Sequence, residues 1–412
     1  DILLIAPETK RLANILNRLV HGSASTFNQR TNVNLDNKYT VLDISELSGD
    51  LLTAGMFDPM VDKVVSWCKG DPLKVLVGTA VLAAFVSLDG DGTTTVMICC
   101  TAMIPIYERL KIKKIYLATL IILQNCIMNL IPWGGPTARV MSVMNLDAGE
   151  ILGPLVPGMA LSAVYVIGVS YYLGLKERKR LGISRDVENH AVKVELSEDE
   201  KAWKRPKLIL FNLALTAGII AALIMGLASS AILFGVGTAV ALLVNYPNQK
   251  VQRNVISSIA PDMINVVMMV LGAGVLMGIL NGPEDAGMSN AIAEFLVAVI
   301  PESLAKYFAI VIAVISAPGT YLLNNDAFYY GVLPPLAATA QAYGFTDLNI
   351  GFAALMGQAF HFLSPLVPFI YLLMDKTEIT LAQYQGYIFK WCIGIFVIFM
   401  AMGLVTGYLP IL

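Results

Sequence analysis

Ser87-Leu-Asp-Gly-Asp-Gly-Thr-Thr-Thr-Val96 interrupts a stretch that is otherwise apolar from residue 72 to residue 106. A carboxylate at membrane depth costs several kcal/mol, about 2.5–3.5 kcal/mol for Asp on insertion scales, so it faces a cavity or a partner rather than lipid. Glycines on both sides of Asp91 let the backbone leave helical geometry and expose its amide and carbonyl groups. This segment therefore predicts a site for a charged solute within a membrane-embedded chain.

The composition of the whole chain indicates an integral membrane protein. Its 412 residues are 56% hydrophobic and 14% charged, whereas a soluble domain carries roughly 25% charged residues. The net charge of −2 excludes a basic surface for nucleic acid, so we expect a lipid bilayer and no nucleic acid among its partners. The five cysteines lack the spacing of a zinc site, and no nucleotide-loop or haem motif is present, so we expect no resident cofactor.

The apolar segments after residue 53 predict an all-α membrane fold. Crossing a bilayer takes about 20 apolar residues. Segments long enough to cross lie at Ile115–Leu130, Ile151–Leu173, Leu208–Leu227, Ala228–Val244, Pro261–Leu280, Leu348–Leu373 and Tyr387–Leu409. Two further segments, 73–107 and 303–340, are apolar but broken in the middle. We interpret each of these as a re-entrant hairpin whose tip reaches the middle of the membrane.

Basic residues predict the orientation of the chain. Lys and Arg are concentrated in residues 108–114, 175–206 and 245–260, and the span list places these stretches and residues 375–385 on one side. By the positive-inside rule this side is cytoplasmic.

An internal repeat relates the two halves of the chain. Ala54-Gly-Met56 recurs as Ala286-Gly-Met288, and at the same displacement of 232 residues a helix break at 132–136 matches one at 364–368. An amphipathic stretch (57–70 and 289–302) and an interrupted hairpin lie between these anchors in each half. Because the halves have opposite orientations, they predict inverted repeats, the plan of many secondary transporters.

This repeat divides the chain into four parts. They are a non-membrane segment 1–52, a first repeat 53–174, a cytoplasmic linker 175–206 and a second repeat 207–412. Three spans precede the amphipathic stretch of the second repeat, whereas only the polar residues 1–52 occupy that place in the first. We therefore expect that the N-terminal scaffold helices are missing and that the first repeat is truncated or chimeric.

The tip of the first hairpin holds the first group of candidate site residues. Aspartate suits a hard cation or a proton, and threonine hydroxyls serve either a donor or an acceptor. Helix ends at such a tip offer amides to anions and carbonyls to cations; the alternative is a turn that only stabilises a bend. The candidate substrate-binding residues are Ser87, Asp89, Gly90, Asp91, Gly92, Thr93 and Thr94. Asp89 and Asp91 are also candidate metal ligands, and Asp91 is a candidate for proton coupling.

The first helix break, Asn129-Leu-Ile-Pro-Trp-Gly-Gly-Pro-Thr-Ala-Arg139, holds the second group. Its prolines and glycines unwind the helix. A guanidinium group binds carboxylate in bidentate fashion, so Arg139 is a candidate substrate anchor; the alternative is an arginine that snorkels to the interface. The candidate substrate-binding residues here are Asn129, Gly134, Gly135, Thr137 and Arg139.

The second repeat contributes two smaller groups. Two amides and a carboxylate within an apolar hairpin are difficult to explain by packing alone, although a structural turn is the alternative. Histidine titrates near neutral pH and can pass protons; a histidine hydrogen-bonded to a neighbouring helix is the alternative. The substrate-binding candidates are Asn324, Asn325 and Ser364, beside Gln358, and the proton-coupling candidates are Asp326 and His361.

An intramembrane enzyme is the alternative of a different class, with Asp89 and Asp91 as an acid–base pair. That scheme gives the second hairpin tip no role, and the sequence has no di-aspartate arrangement across two spans. We therefore expect a transporter and not an enzyme.

Five stretches resemble a known family: Phe57-Asp-Pro, Gly70-Asp-Pro-Leu, the tip 87–95, Pro132-Trp-Gly-Gly-Pro-Thr-Ala-Arg139 and Lys176-Glu-Arg-Lys-Arg. From about residue 53 to the C-terminus the chain resembles the CitMHS family of bacterial citrate transporters, in the ion transporter superfamily. The resemblance implies that the solute is citrate chelated to a divalent cation, magnesium or calcium, entering with protons. It also implies a homodimer in the bacterial cytoplasmic membrane that works by alternating access.

Residues 1–52 depart from that family. Residues 27–37 and 39–47 resemble a piece of a conjugative-transfer (type IV secretion) ATPase, but without a nucleotide-binding loop, so no ATP hydrolysis is implied. Three alternatives to metal–citrate uptake stay open: a transporter of another di- or tricarboxylate, a cation antiporter of the same superfamily, and a non-functional chimeric fragment.

Overall fold

The computed structural model describes residues 70–90, 92–182, 206–225, 230–257 and 288–412, with isolated positions at 63–64, 67–68, 227–228, 271–272, 275 and 278–279. Across these residues the chain is almost entirely helical and contains no β-strand, which confirms the predicted all-α class. The segment 1–52, the repeat anchor at 54–56 and most of the predicted span at 261–280 lie outside the described residues.

The first hairpin forms around the polar tip, as predicted. Helix α1 (Pro72–Val86) begins after Asp71, whose carboxylate accepts the Leu73 N–H at 3.1 Å. A proline in the first turn supplies the φ that a helix start needs. A short 3-10 turn follows, and Gly90 reverses the chain at φ +83°, in the left-handed region that favours glycine. Helix α2 (Gly92–Arg109) then runs back beside α1.

The first broken helix consists of α3 (Lys114–Met128) and α4 (Gly135–Met144). Pro132 lies in the loop between them and lacks the N–H group that would continue the helical hydrogen bonds. Pro136 lies in the first turn of α4, where a missing N–H costs nothing. The break predicted at 132–136 is therefore confirmed.

Helix α5 (Ala148–Leu181) is 34 residues long and begins at a capping box formed by Asp147 and Glu150. It continues past residue 174, where the linker was predicted to begin. Its last turn carries three basic residues, which interact favourably with the negative end of the helix dipole, and Gly182 terminates it at φ +63°. Residues 175–181 therefore belong to α5 rather than to an irregular linker.

Helices α6 (Ile209–Ile224) and α7 (Ser230–Asn245) pack against each other. The buried amides of Asn212 and Asn245 exchange two hydrogen bonds, of 2.9 and 2.8 Å. A buried amide that is hydrogen-bonded on both its groups avoids the desolvation penalty, so this pair joins the two apolar helices at little cost.

The second hairpin follows two short helices, α8 (Met288–Val299) and α9 (Glu302–Ala305). Its arms are α10 (Phe308–Leu322) and α11 (Leu333–Ala342), and a π-helical stretch, Ala327–Val332, opens the returning arm. π-Helical turns are rare in proteins, and those that occur often lie at functional sites. The interrupted hairpin predicted over 303–340 is confirmed.

The second broken helix consists of α12 (Asp347–Leu355), the single turn α13 (Gln358–His361) and α14 (Pro368–Thr377). The break predicted at 364–368 within the apolar segment Leu348–Leu373 is therefore confirmed, and a second interruption between Leu355 and Gln358 was not predicted. Prolines at 365 and 368 prevent the helix from continuing. Helix α15 (Leu381–Thr406) follows.

Two of the described helices, α5 and α15, are long and apolar enough to cross a membrane, judged by length and composition. Six shorter apolar helices, α1, α3, α6, α7, α8 and α10, accompany them. The breaks account for the short lengths of the hairpin arms and of α3, because an element that stops in the middle of a bilayer needs fewer than about 20 residues.

Three of the four stretches that were predicted to lie on the basic side meet at one end of the molecule. Lys114 Nζ pairs with Glu108 at 2.8 Å and with Glu378 at 3.0 Å, which joins the end of the first hairpin to the corner between α14 and α15. Arg178 pairs with Asp71, which joins the start of that hairpin to the end of α5. Both ends of the first hairpin therefore lie on the predicted basic side.

Both ends of the second hairpin lie at the opposite end of the molecule. The Leu412 N–H donates to the Lys306 carbonyl oxygen at 3.1 Å, just before α10 begins. Asn349 Nδ2 donates to the Tyr408 carbonyl oxygen at 3.2 Å, just after α11 ends. The two hairpins thus enter from opposite ends of the bundle, which confirms the inverted repeats.

The two repeats exchange partners where their helices break. The first hairpin packs on α3 of its own repeat and, through α2, on α14 of the other. The second hairpin packs on α12 and α13 of its own repeat, and its π-helical stretch and α11 contact α4 of the other. This reciprocal arrangement brings both tips against the first break.

Candidate functional site

An ion pair between Arg139 and Asp326 joins the first break to the tip of the second hairpin. Arg139 Nε donates to Asp326 Oδ1 at 2.7 Å, and Nη1 donates to the Gly135 carbonyl oxygen at 2.8 Å. The two side chains are 16% and 37% exposed, so the pair is largely removed from solvent. The sequence identified both residues separately, one as a substrate anchor and the other as a proton site, but did not predict that they pair.

His361, in α13, lies close to this pair. Its Nδ1 is 2.8 Å from the carbonyl oxygen of Thr320 in α10, and since a carbonyl only accepts, Nδ1 is the donor. Arg139 and Asp326 both act electrostatically on the buried His361 ring. The structure thus brings together the predicted anchor and two of the predicted proton-coupling residues.

A close backbone contact holds the second hairpin against its own broken helix. Thr320 Oγ1 donates to the Gly357 carbonyl oxygen at 3.0 Å. A Cβ atom at Gly357 would collide with the carbonyl group of Ser316, so only glycine permits this approach of α10 to the second break. The contact between α10 and the second break, next to His361, is therefore fixed by main-chain packing.

Two tyrosines of the π-helical stretch face the same region, and sequence reasoning missed them. Tyr329 Oη lies 3.4 Å from Gln358 Oε1, while Gln358 Nε2 has no hydrogen-bond partner among the described residues. Arg139 acts electrostatically on the phenols of both Tyr329 and Tyr330. Their position three and four residues after Asp326 is the signal that could have identified them, since it places them one helical turn away.

The tip of the first hairpin is attached to the first break. Trp133 Nε1 donates to the Leu88 carbonyl oxygen at 2.9 Å, and a Cβ atom at Gly90 would lie 3.1 Å from the Trp133 ring. Ser87 is fully buried, and its hydroxyl has no hydrogen-bond partner in the part of the chain that the structure describes. This tip therefore holds a buried polar group close to the break.

The two aspartates of this tip are described only in part. Asp89 ends the 3-10 turn, whereas its side chain and the whole of Asp91 lie outside the described residues. Residues 92–94 form the first turn of α2, and Gly92 lies against the ring of Phe369 in α14. The proton and metal roles of Asp89 and Asp91 stay predictions.

The loop of the first break is closed by its own polar groups. Thr137 Oγ1 donates to the Leu130 carbonyl oxygen at 2.9 Å, and a Cβ atom at Gly134 would collide with the carbonyl oxygen of Asn129. Asn129 follows the last turn of α3, and its buried Oδ1 has no partner among the residues described. Thr137 and Gly134 thus shape the loop, and Asn129 adds a polar group to its interior.

In the second tip and the second break, some polar atoms bind the local backbone and one has no partner among the described residues. Asn324 Oδ1 accepts the Ala327 N–H at 2.7 Å and so caps the π-helical stretch. Ser364 Oγ accepts the Leu366 N–H at 3.2 Å within the second break. Asn325 Oδ1 is buried without a partner among the described residues, which leaves it for a ligand or water.

Gln124 and Asn125, in α3, are the most conspicuous residues that sequence reasoning missed. Both are fully buried, and none of their four amide nitrogen and oxygen atoms has a hydrogen-bond partner in the described ranges. An unsatisfied buried polar group costs about 1–3 kcal/mol, so such groups call for a ligand or water. Two consecutive amides inside the apolar segment 115–130 were the available signal.

The described site therefore consists of one ion pair surrounded by neutral polar groups. Among the described residues, no group of three or more His, Cys, Asp or Glu could hold a metal ion; the side chains of Asp89 and Asp91 are not among them. A guanidinium beside amides and hydroxyls can bind carboxylate oxygens, and a carboxylate in the same place can hold a proton.

Comparison with known proteins identifies the family. The CitMHS model, described as a citrate transporter, matches residues 47–357. The chain belongs to this citrate transporter family. A citrate transporter of Bacillus subtilis is 46% identical over 361 residues, covering 87% of this chain and 83% of that protein. A Mg(2+)/citrate complex secondary transporter of the same organism is 41% identical over 363 residues, covering 88% and 83%.

The family and these relatives are transporters, so the CitMHS protein is a membrane transporter and not an enzyme, as the sequence predicted. A solved structure, the YdaH transporter of Alcanivorax borkumensis, is 12% identical and covers 99% of this chain and 91% of its own, with a TM-score of 0.47, a distant likeness. The family match begins at residue 47, and these comparisons give no support to the resemblance of residues 1–52 to a secretion ATPase.

Proposed function

We propose that the protein takes up citrate complexed with a divalent metal ion, magnesium or calcium, together with protons and by alternating access. The observation that carries the proposal is the Arg139–Asp326 pair, which joins the predicted substrate anchor of the first repeat to a predicted proton-coupling residue of the second. The printed name of the relative that is 41% identical supports the metal–citrate complex as the substrate.

The charge of the complex fits this site. Citrate at neutral pH carries about three negative charges, and a chelated divalent cation reduces them to about one, which makes burial of the complex far less costly. Arg139 supplies one positive charge at the breaks. The metal ion travels as part of the substrate, so the protein needs no dedicated metal cage.

The neutral groups around Arg139 provide the remaining contacts. Guanidinium nitrogens bind one carboxylate of citrate, and the amide oxygens of Asn129 and Asn325 accept a hydrogen bond from the citrate hydroxyl or face the metal ion of the complex. The buried, unpartnered atoms of both side chains among the described residues support this role. In the first tip, Ser87, Asp89 and Asp91 complete the binding site and face the metal ion of the complex.

The inverted hairpins support alternating access. Each hairpin enters from a different end of the bundle, yet both tips contact the loop or helix of the first break. A movement of either hairpin would therefore open the same site toward its own side. We place the basic side in the bacterial cytoplasm, and the homodimer that the family resemblance implies stays a prediction.

The test is uptake of labelled citrate into proteoliposomes that contain the purified protein, with an inward proton gradient. We expect uptake that requires Mg²⁺ or Ca²⁺ and that collapses when the proton gradient is dissipated. Metal-independent uptake would reject the metal–citrate complex as the substrate. Stronger inhibition by an unlabelled dicarboxylate than by unlabelled citrate would favour another carboxylate.

A further inference from the structure

The pairing of Arg139 with Asp326 carries an inference that rests on the proposed function and extends it to the order of binding events. The two residues come from different repeats and are joined by one short hydrogen bond, Nε to Oδ1 at 2.7 Å. The pair is electrically neutral and mostly buried. A carboxylate of the substrate that binds to the guanidinium has to compete with a carboxylate that is already there.

Among the described residues, the charged and titratable groups that interact with Asp326 come from three elements. Arg139 faces it from α4, the phenol of Tyr330 interacts electrostatically with it from the π-helical stretch, and His361 does so from α13. Tyr329 interacts with Arg139. His361 donates its Nδ1 proton to a carbonyl oxygen and is 6% exposed, whereas Asp326 is 37% exposed and so is the more accessible proton acceptor.

We infer that substrate and proton bind by exchange at Arg139: a carboxylate of the metal–citrate complex replaces the Asp326 carboxylate on the guanidinium, and the released Asp326 takes up a proton. The proton comes from the water on the side to which the site is open. When the complex leaves on the other side, Asp326 releases its proton to that water and pairs with Arg139 again.

The charges balance in both states of this cycle. Without substrate, the guanidinium and the Asp326 carboxylate sum to zero. With substrate, the guanidinium (+1), the complex (about −1) and a neutral carboxylic acid again sum to about zero. If Asp326 stayed ionised, it would lie beside the substrate carboxylate that displaced it from Arg139, and two like charges so close together are unfavourable. The exchange thus ties one proton to each complex at this site.

The first experiment uses the wild-type protein, purified in detergent. Binding of Mg–citrate is measured by calorimetry in buffers of different ionisation enthalpy, which gives the number of protons taken up per complex bound. We expect about one proton. Binding should also weaken as the pH rises, by up to about tenfold per pH unit, because one proton is bound together with each complex. Binding of the complex without proton uptake would overturn the inference.

The second experiment compares variants in proteoliposomes. Asp326→Asn removes the acid but leaves Arg139, so we expect a variant that still exchanges internal for external Mg–citrate at a measurable rate but shows no accumulation driven by a proton gradient. Asp326→Glu should keep both activities. The matched control is Asp375→Asn, which removes an exposed carboxylate near the end of α14 and should change neither activity.

The outcomes separate this inference from the proposed function. If the wild type neither binds nor transports citrate, the proposed function fails and the inference fails with it. If the wild type transports citrate but Asp326→Asn still accumulates it, only the inference fails. A folded Asp326→Asn that loses exchange as well would make Asp326 a binding residue and would also overturn it. If this variant does not fold, the proton count in the wild type decides.

Discussion

The indole Nε1 of Trp133 donates a hydrogen bond of 2.9 Å to the carbonyl oxygen of Leu88. This bond connects the loop of the first helix break to the tip of the first hairpin, and both elements belong to the first repeat. The corresponding connection of the second hairpin to the first break is the ion pair of Asp326 with Arg139. One short loop–helix unit therefore holds both tips.

Trp133→Phe keeps most of the aromatic surface and removes the hydrogen bond to the first tip. Because a net hydrogen bond contributes about 0.5–1.5 kcal/mol, we expect a small loss of thermal stability and a higher half-saturation concentration for citrate uptake. Trp391→Phe is the matched control, since the Trp391 N–H is buried without a partner in the described part of the chain. Equal transport defects in both variants would contradict the role of the Trp133 bond.

Gly357→Ala should prevent the second hairpin from docking. The added Cβ atom would collide with the main-chain carbonyl of Ser316, which cannot move without displacing α10. We expect a severe loss of folded protein in size-exclusion chromatography, as for other overpacked interiors. Gly168→Ala, in α5, is the control: its Cβ would meet no atom within 4 Å, so the variant should be neutral or more stable by up to about 1 kcal/mol.

Asp71 stabilises the first hairpin, and this stabilisation is lost at acid pH. Burial raises the pKa of this carboxyl, but hydrogen bonds from Arg178 and the Leu73 N–H and the positive charges of Arg178 and Lys74 outweigh burial and hold the pKa below its ordinary value. Because the pKa of this carboxyl is lower in the folded state, its ionised form stabilises the fold at pH values above the ordinary pKa. This stabilisation is lost as the pH falls through the pKa of the folded state.

Asp71→Asn should therefore be less stable than wild type near pH 7, by about 1–2 kcal/mol for a charge-assisted interaction, and the difference should shrink below about pH 4. Melting temperatures in detergent between pH 3 and pH 7 measure this convergence. A difference that stays constant over the whole range would show that the charge of Asp71 is not the stabilising feature.

Gln124→Leu should separate stability from transport. The Gln124 amide is fully buried with no partner among the described residues, so its removal should raise stability by about 1–3 kcal/mol. Transport should fall if the amide serves the substrate or water within the site. The control is Ser162→Ala, which removes a hydroxyl of α5 that is also buried and has no partner among the described residues. This variant should leave transport unchanged. A destabilised Gln124→Leu would indicate a structural partner instead.

Asp91→Asn tests the first tip. We expect the variant to insert into the membrane at wild-type levels but to lose citrate uptake, because the tip would lack the carboxylate that serves the proton or the metal. Membrane fractionation and labelled uptake measure the two properties. Wild-type uptake by this variant would remove Asp91 from the site.

The breaks and hairpins could be predicted from sequence because their cause is local. Pro132 lacks the N–H group that continues a helix, Gly90 readily adopts the left-handed conformation of a turn, and an apolar segment with a polar centre has few solutions in a membrane. The length of α5 was underestimated, since the basic residues that predicted a linker also stabilise a helix end. The interruption before Gln358 was not predicted because no proline marks it in the sequence.

The pairing within the site could not be predicted, because it depends on tertiary contacts. Arg139 and Asp326 are far apart in the chain, and nothing in either segment specifies the other as a partner. Gln124 could not be identified from sequence as an unsatisfied amide, because its burial and its lack of a partner among the described residues depend on the helices that pack around α3. The close approach at Gly357 likewise depends on how α10 packs, which the local sequence does not determine.

Biosynthesis has to accommodate the contact between Gly92 and Phe369. The first hairpin emerges from the ribosome well before α14, which covers the start of its second arm. During that interval the polar tip lacks part of its final shelter and waits inside the translocation machinery or against α3. A premature stop before α14 would therefore release a product with an uncovered hairpin, which membrane proteases can recognise.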